Sequence, residues 1–214
     1  MLYDITRTVT GTTAVWPGDT PYQTEIGWSL AAGQAVNLVT ITTTPHVGTH
    51  ADAYFHYEVA GAHPATMPLD AYLGRVRVMT VSKRDGALMP ADLPTSAAGA
   101  ERLLIHSHVS DLPDTTFAPE FPYLSVELIA WLASLQIRLI GLDSPSVDAF
   151  DSKELPCHHA LARHGLVNLE NVYLRGVPDG DYELIALPLK LDAACASPVR
   201  AVLRSLKQER EQSS

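Results

Sequence analysis

Two hydrophobic patterns alternate along the chain. Short β-branched runs bounded by Gly or Pro, Val36 to Thr44 (VNLVTITTT) and Arg75 to Val81 (RVRVMTV), predict strands, because branched side chains pack well on a pleated surface. Leu103 to Ile105 and Ile137 to Leu142 have the same character. The turn signal Pro178-Asp179-Gly180-Asp181 introduces another strand over Glu183 to Leu189, ended by Pro188, and Val199 to Leu203 predicts a last one. Helical spacing is rarer. Ser125 can cap a helix from Val126 to Leu135, where Val126, Ile129, Ala130 and Ala133 recur on one face, and Leu155 to His164 is a second candidate. Strands dominate and helices intervene irregularly, so the pattern predicts a mixed α+β domain rather than a doubly wound parallel sheet.

Length and charge narrow the picture. The 214 residues suit a single domain, expected over 1–206, followed by a polar stretch over 207–214 that predicts a frayed end. With 46% hydrophobic and 18% charged residues the chain can bury a core that offsets its folding entropy. A formal net charge of -9 leaves no electrostatic basis for gripping a phosphate backbone, which argues against nucleic acid as a partner. No signal-peptide order is visible at Met1 to Arg7, and no apolar run approaches the roughly 18 residues that cross a bilayer, so neither export nor a membrane is expected. Two cysteines, Cys157 and Cys195, suit a reducing compartment, and the expected location is the cytoplasm.

Chemistry concentrates in one segment. Of nine histidines, three fall within Pro45-His46-Val47-Gly48-Thr49-His50-Ala51-Asp52-Ala53-Tyr54-Phe55-His56. His46, His50, Asp52 and His56 share even parity, so an extended or gently turning chain lets them converge on one side, and imidazoles with a carboxylate suit zinc or a similar divalent ion. Gly48 is expected to let the backbone approach the metal closely. Pro45 and Gly48 argue against a helical pair at His46 and His50. Downstream, His158 and His159 lead through His164 to Glu170, offering further imidazoles and a carboxylate. His106 and His108 read as core or rim residues, and Cys157 as a small buried thiol.

The stretch from His46 to His56 resembles the H-x-G-T-H-x-D-x-P-x-H signature of the metal-dependent cyclase-like hydrolases, with Tyr54 standing where the broader signature has proline. Val15-Trp16-Pro17-Gly18-Asp19-Thr20-Pro21, Gly141 to Asp148, Asp151-Ser152-Lys153, Gly180 to Lys190 and Ala196 to Arg204 are similar to the bacterial kynurenine formamidase branch, so the likeness covers nearly the whole chain. It implies a single compact cyclase-like domain of the swivelling β/β/α type and hydrolysis of the formyl amide of N-formyl-L-kynurenine to kynurenine and formate. The alternative is a relative acting on a cyclic amide, a lactone or another aryl formamide. By the resemblance, two divalent ions, zinc above all, are held by His46, His50, Asp52, His158 and Glu170, with Asp52 bridging. It also makes His56 the proton-transfer residue, Trp16 part of the wall around a small aromatic formamide, and the enzyme a homodimer.

Overall fold

The computed structural model describes residues 1–93 and 97–206, so the polar stretch over 207–214 lies outside the described residues. Strands come first in number. They are β1 (Leu2–Asp4), β2 (Gln23–Trp28), β3 (Leu38–Thr42), β4 (His50–Asp52), β5 (Leu73–Thr80), β6 (Gly86–Leu88) and β7 (Arg102–His106). After them run β8 (Pro122–Leu124), β9 (Leu139–Leu142), β10 (Val167–Glu170), β11 (Gly180–Ile185), β12 (Ala196–Pro198) and β13 (Val202–Ser205). The helices are α1 (Val126–Ser134) and α2 (Pro156–His164).

Among the described residues, nine strands form one sheet in the order β1-β13-β11-β5-β7-β9-β10-β4-β12. Its centre, β5-β7-β9-β10, is parallel, while both flanks are antiparallel. The result is a mixed-sheet α+β single domain, of the class that the sequence pattern predicts. Alternation along β7 explains the two-sided core. Leu103 and Ile105 pack with Leu128, Ile129 and Leu132 of α1 and Ala160 and Leu161 of α2, whereas Leu104 points the other way into a cluster with Tyr72, Leu169, Leu184 and Leu203.

Both helices have local causes. The Ser125 hydroxyl accepts the Leu128 N–H at 3.0 Å and caps α1, and the buried Leu128, Ile129 and Leu132 hold it to the sheet. Pro156 starts α2 at a position that needs no amide donor, and Gly165, at φ 69, ends it in the left-handed conformation. Leu155, immediately before α2, has φ 43, a costly conformation for a branched residue.

Several expected strands move. The run from Val36 shortens to β3, which pairs with β2 in a separate two-stranded arm instead of joining the main sheet. The strand expected to reach Leu189 stops at Ile185, because its partner β5 begins at Leu73, directly opposite Ile185. Val199 to Leu203 becomes β13 only from Val202 onward. Short β1, β4 and β10 have too few residues to show periodicity. No helix among the described residues is long and apolar enough to cross a membrane.

Candidate metal centre

β4 supplies the middle of the site. It lies between β10 and β12, and its residues are all buried. His50 and Asp52, two apart, share a face, and Glu170 of β10 lies directly across the antiparallel pair from His50. His158, in the first turn of α2, reaches the same point from the helical layer. His50 Nε2 is 3.4 Å from both Asp52 Oδ1 and Glu170 Oε2, while His158 Nε2 is 3.5 Å from Asp52 Oδ2 and 3.6 Å from Glu170 Oε1. His46 joins from the turn before β4, with Nδ1 at 3.1 Å from Asp52 Oδ1.

The even-parity reading therefore holds only for His50 and Asp52. His46 sits in a turn, and His56 ends a short 3₁₀ turn over Tyr54–His56, so chain reversals rather than one extended strand bring them in. Gly48 also has a different reason from the one expected. At φ +60 it occupies left-handed space, and a Cβ there would meet Val9 at 3.0 Å. Its carbonyl accepts the His50 Nδ1–H at 2.9 Å, which turns Nε2 towards Asp52.

Sequence reasoning missed the groups that hold the cluster in place. Asp148 accepts the His158 Nδ1–H at 2.7 Å and the backbone N–H groups of Cys157 and His158 at 2.9 and 3.0 Å, so one carboxylate caps α2 and orients its imidazole. Asn168 donates to Asp52 Oδ2 at 2.8 Å and Glu170 Oε1 at 3.2 Å, and the Val147 amide donates to the same Glu170 oxygen at 3.0 Å. Parity with Glu170 on β10 was the available signal for Asn168. For Asp148 there was none, since it caps a helix nine residues away.

The electrostatics are those of mutual stabilisation. Burial lowers the imidazole pKa values, but the close Asp52 carboxylate, together with Cys195 at His46 and Glu170 at His50, outweighs it and raises His46 to about 10 and His50 to about 9. Burial likewise opposes ionisation of Asp52, yet the three surrounding imidazoles hold it well below the usual carboxylate range, and His158 and His50 lower Glu170 against burial and the charge of Asp52. Even so, His50 Nε2 and Asp52 Oδ1 face each other, fully buried, without a hydrogen-bond partner. Orphaned polar atoms cost a few kcal/mol each unless something satisfies them, and a cation between an imidazole nitrogen and carboxylate oxygens would do so. Two overlapping donor groups, His46 with His50 and Asp52, and Asp52 with His158 and Glu170, are each close enough to hold an ion. The residues present fit a divalent metal.

A cavity of about 440 Å³ opens onto this cluster. His46, His50, His158 and Glu170 line its floor, and His56, Trp16, Phe117 and Cys195 line its walls. Trp16 packs edge-on against Phe117 at 5.4 Å, so two rings form one aromatic wall of which only Trp16 was anticipated, and Phe150, outside the cavity lining, packs tilted on Trp16 at 5.1 Å. Arg7 also lines the cavity, held by Asp114 at 2.8 Å and the Val109 carbonyl at 2.9 Å. Tyr54, the departure from the signature, turns away: its hydroxyl donates to the Leu166 carbonyl at 3.0 Å and its ring packs on the core. His106 and His108 remain part-exposed and outside the donor groups, and Cys157 is buried.

The chain is similar to known proteins along nearly its whole length. The kynurenine formamidases of Bacillus cereus and Bacillus mycoides are each 42% identical over 207 residues, covering 95% of this chain and 97% of theirs. Among solved structures, isatin hydrolase A from Labrenzia aggregata superposes with a TM-score of 0.82 at 23% identity, covering 97% of this chain and 94% of its own. A predicted metal-dependent hydrolase from Bacillus stearothermophilus does so at 0.78 and 24%, with 95% and 97% covered. Both share the fold. The Cyclase family model matches residues 3–149, and with relatives this similar along nearly its whole length the chain belongs to the Cyclase family.

Proposed function

We propose that this protein hydrolyses the formyl amide of N-formyl-L-kynurenine, releasing L-kynurenine and formate, with two divalent ions, zinc in the first instance, at the Asp52 cluster. The observation that carries the reading is one cavity that puts a buried donor cluster, an exposed imidazole and an aromatic wall around a single space; the 42% identity to kynurenine formamidases supports it. Asp52 supports two ions because Oδ1 faces His46 and His50 while Oδ2 faces His158.

His46, His50 and Asp52 would hold one ion, and Asp52, His158 and Glu170 the other. In such a donor set divalent metals supply Lewis-acid polarisation of a carbonyl and acidification of water. The chain's own residues do the rest. His56, on the cavity wall, takes the proton from the attacking water and delivers it to the aryl nitrogen as the C–N bond breaks, a task suited to an imidazole near neutral pH. Trp16 and Phe117 receive the aryl ring and exclude water from that side, with Phe150 packed on both. Asp148 and Asn168 keep His158, Asp52 and Glu170 aligned.

Because Tyr54 points into the core, the substituted signature position does not redirect specificity towards a cyclic substrate. The exposed apolar arm formed by β2 and β3 supports assembly as a homodimer, and the free thiols of Cys157 and Cys195 support a reducing, cytoplasmic setting. The deciding experiment measures turnover of N-formyl-L-kynurenine and of a cyclic imide by zinc-loaded and chelated protein. Zinc-dependent turnover that favours the formamide is expected; faster turnover of the imide, or formamide turnover that survives chelation, overturns the reading.

A further inference from the structure

His46 presents its two ring nitrogens to different neighbours. Nδ1 faces Asp52, whereas Nε2 lies 3.2 Å from Cys195 Sγ. The ring of His56 lies alongside, with centroids 4.3 Å apart, and donor atoms of His46, His56 and Cys195 all fall within 4.8 Å of one another. Zn–N bonds near 2.1 Å and Zn–S bonds near 2.3 Å put the ligand atoms of a tetrahedral site about 3.5–4 Å apart, so small side-chain adjustments would close this group on an ion.

We propose that His46, His56 and Cys195 form a third, inhibitory metal site at the cavity wall, selective for thiophilic divalent ions such as cadmium or surplus zinc. Its donor chemistry differs from that of the buried cluster. Two imidazoles and a thiolate prefer softer ions than the carboxylate-rich set around Asp52 does. Its position differs too, because His56 is exposed and the ion enters from the cavity without passing the buried carboxylates.

The thiol is held for this purpose by rigid backbone. The Cys195 carbonyl accepts the Ala53 N–H at 2.9 Å, tying it to the residue between Asp52 and the turn that carries His56. Directly after it, β12 pairs with β4. Two residues before, Ala193 takes φ 54, a conformation costly for alanine that the surrounding structure imposes. Binding displaces two protons to solvent, one from the Cys195 thiol and one from the His46 ring, because an imidazole that ligates through both nitrogens is an imidazolate; no electron is transferred. Since His46 offers Nε2 here and Nδ1 to Asp52, its ring bridges the two sites without turning. Inhibition follows because His56 becomes a ligand and can no longer move a proton; that step alone rests on the function proposed above.

The test adds cadmium to zinc-loaded protein and follows three readouts: ions bound per chain, the near-ultraviolet thiolate-to-cadmium absorption, and formamide turnover relative to the same protein without cadmium. Wild type should take up one more ion, gain the absorption and lose turnover on the order of 10²-fold, all at the same cadmium concentration and reversed by chelator. C195S and C195A should gain neither ion nor absorption and keep a turnover ratio near one. Two variants guard against either one misfolding. No extra ion in wild type, or an absorption that persists without Cys195, overturns the proposal. Ion count and absorption need no substrate, so their failure is distinguishable from failure of the formamidase reading.

Discussion

At the scale of single residues, the site divides between groups that would touch reacting atoms and groups that hold those in place. His56 belongs to the first kind. Replacing it with alanine removes a proton carrier but none of the donors around Asp52, so metal content at that cluster should stay near wild type while kcat falls roughly 10²- to 10⁴-fold. A substrate with an activated ester leaving group, which departs without protonation, should lose much less. Equal losses on both substrates, or loss of the buried metal, would refute the assigned role. Asp148 belongs to the second kind. In D148N an amide N–H₂ can face His158 Nδ1, which favours the wrong tautomer, so affinity for the ion that His158 would share should fall roughly 10- to 100-fold while the fold and the other ion persist. Isothermal titration with zinc checks it, and unchanged affinity for both ions would reduce Asp148 to a helix cap.

At the scale of elements, the outlying feature is the arm. Every residue of β2 and β3 is exposed, and five of them, Ile26, Trp28, Leu38, Val39 and Ile41, are large and apolar. An isolated two-stranded hairpin is marginal in water, so this one needs a covering surface. In the homodimer proposed above, a second copy of the chain would supply one. On that proposal wild type should sediment as a dimer and the double variant W28S/I41S as a monomer; a monomeric wild type, or a variant that remains dimeric at the same concentration, would exclude the arm as the interface. The β-branched run that predicts β3 was legible in the sequence. Its destination was not, because strand propensity reports a fit to any pleated surface and says nothing about which partner provides it.

At the scale of the whole molecule, the buried cluster couples stability to pH. In metal-free protein the folded-state values of His46 and His50, about 10 and about 9, lie above the ordinary 6.5. Their stabilising contribution is thus complete below about pH 6.5 and is lost as pH rises through 9 to 10. Asp52 and Glu170 are lowered, so their contribution is present above the ordinary carboxylate range and is lost in acid. Chelated protein should show its highest Tm between about pH 5 and 6.5, declining on the alkaline side. Zinc should remove that decline, because ligation requires neutral imidazoles and metal affinity then grows with pH. Thermal melts from pH 5 to 10 with chelator and with zinc would show it, and a flat chelated profile would contradict the proposed linkage.

Sequence alone determined the class of the fold, both helices and the donor segment, because each is written in local terms: Ser125 before an apolar face, Pro156 and Gly165 around α2, and His46, His50 and Asp52 within seven residues. The resemblance extended the donor set to His158 and Glu170. Tertiary structure alone decided what surrounds them. Asp148 reaches His158 only because α2 folds back over the sheet, Asn168 meets Asp52 through the β4–β10 pairing, and Cys195 arrives beside His46 from 149 residues away. Such contacts join segments with no shared periodicity, so burial and strand pairing, rather than spacing along the chain, decide which side chains meet.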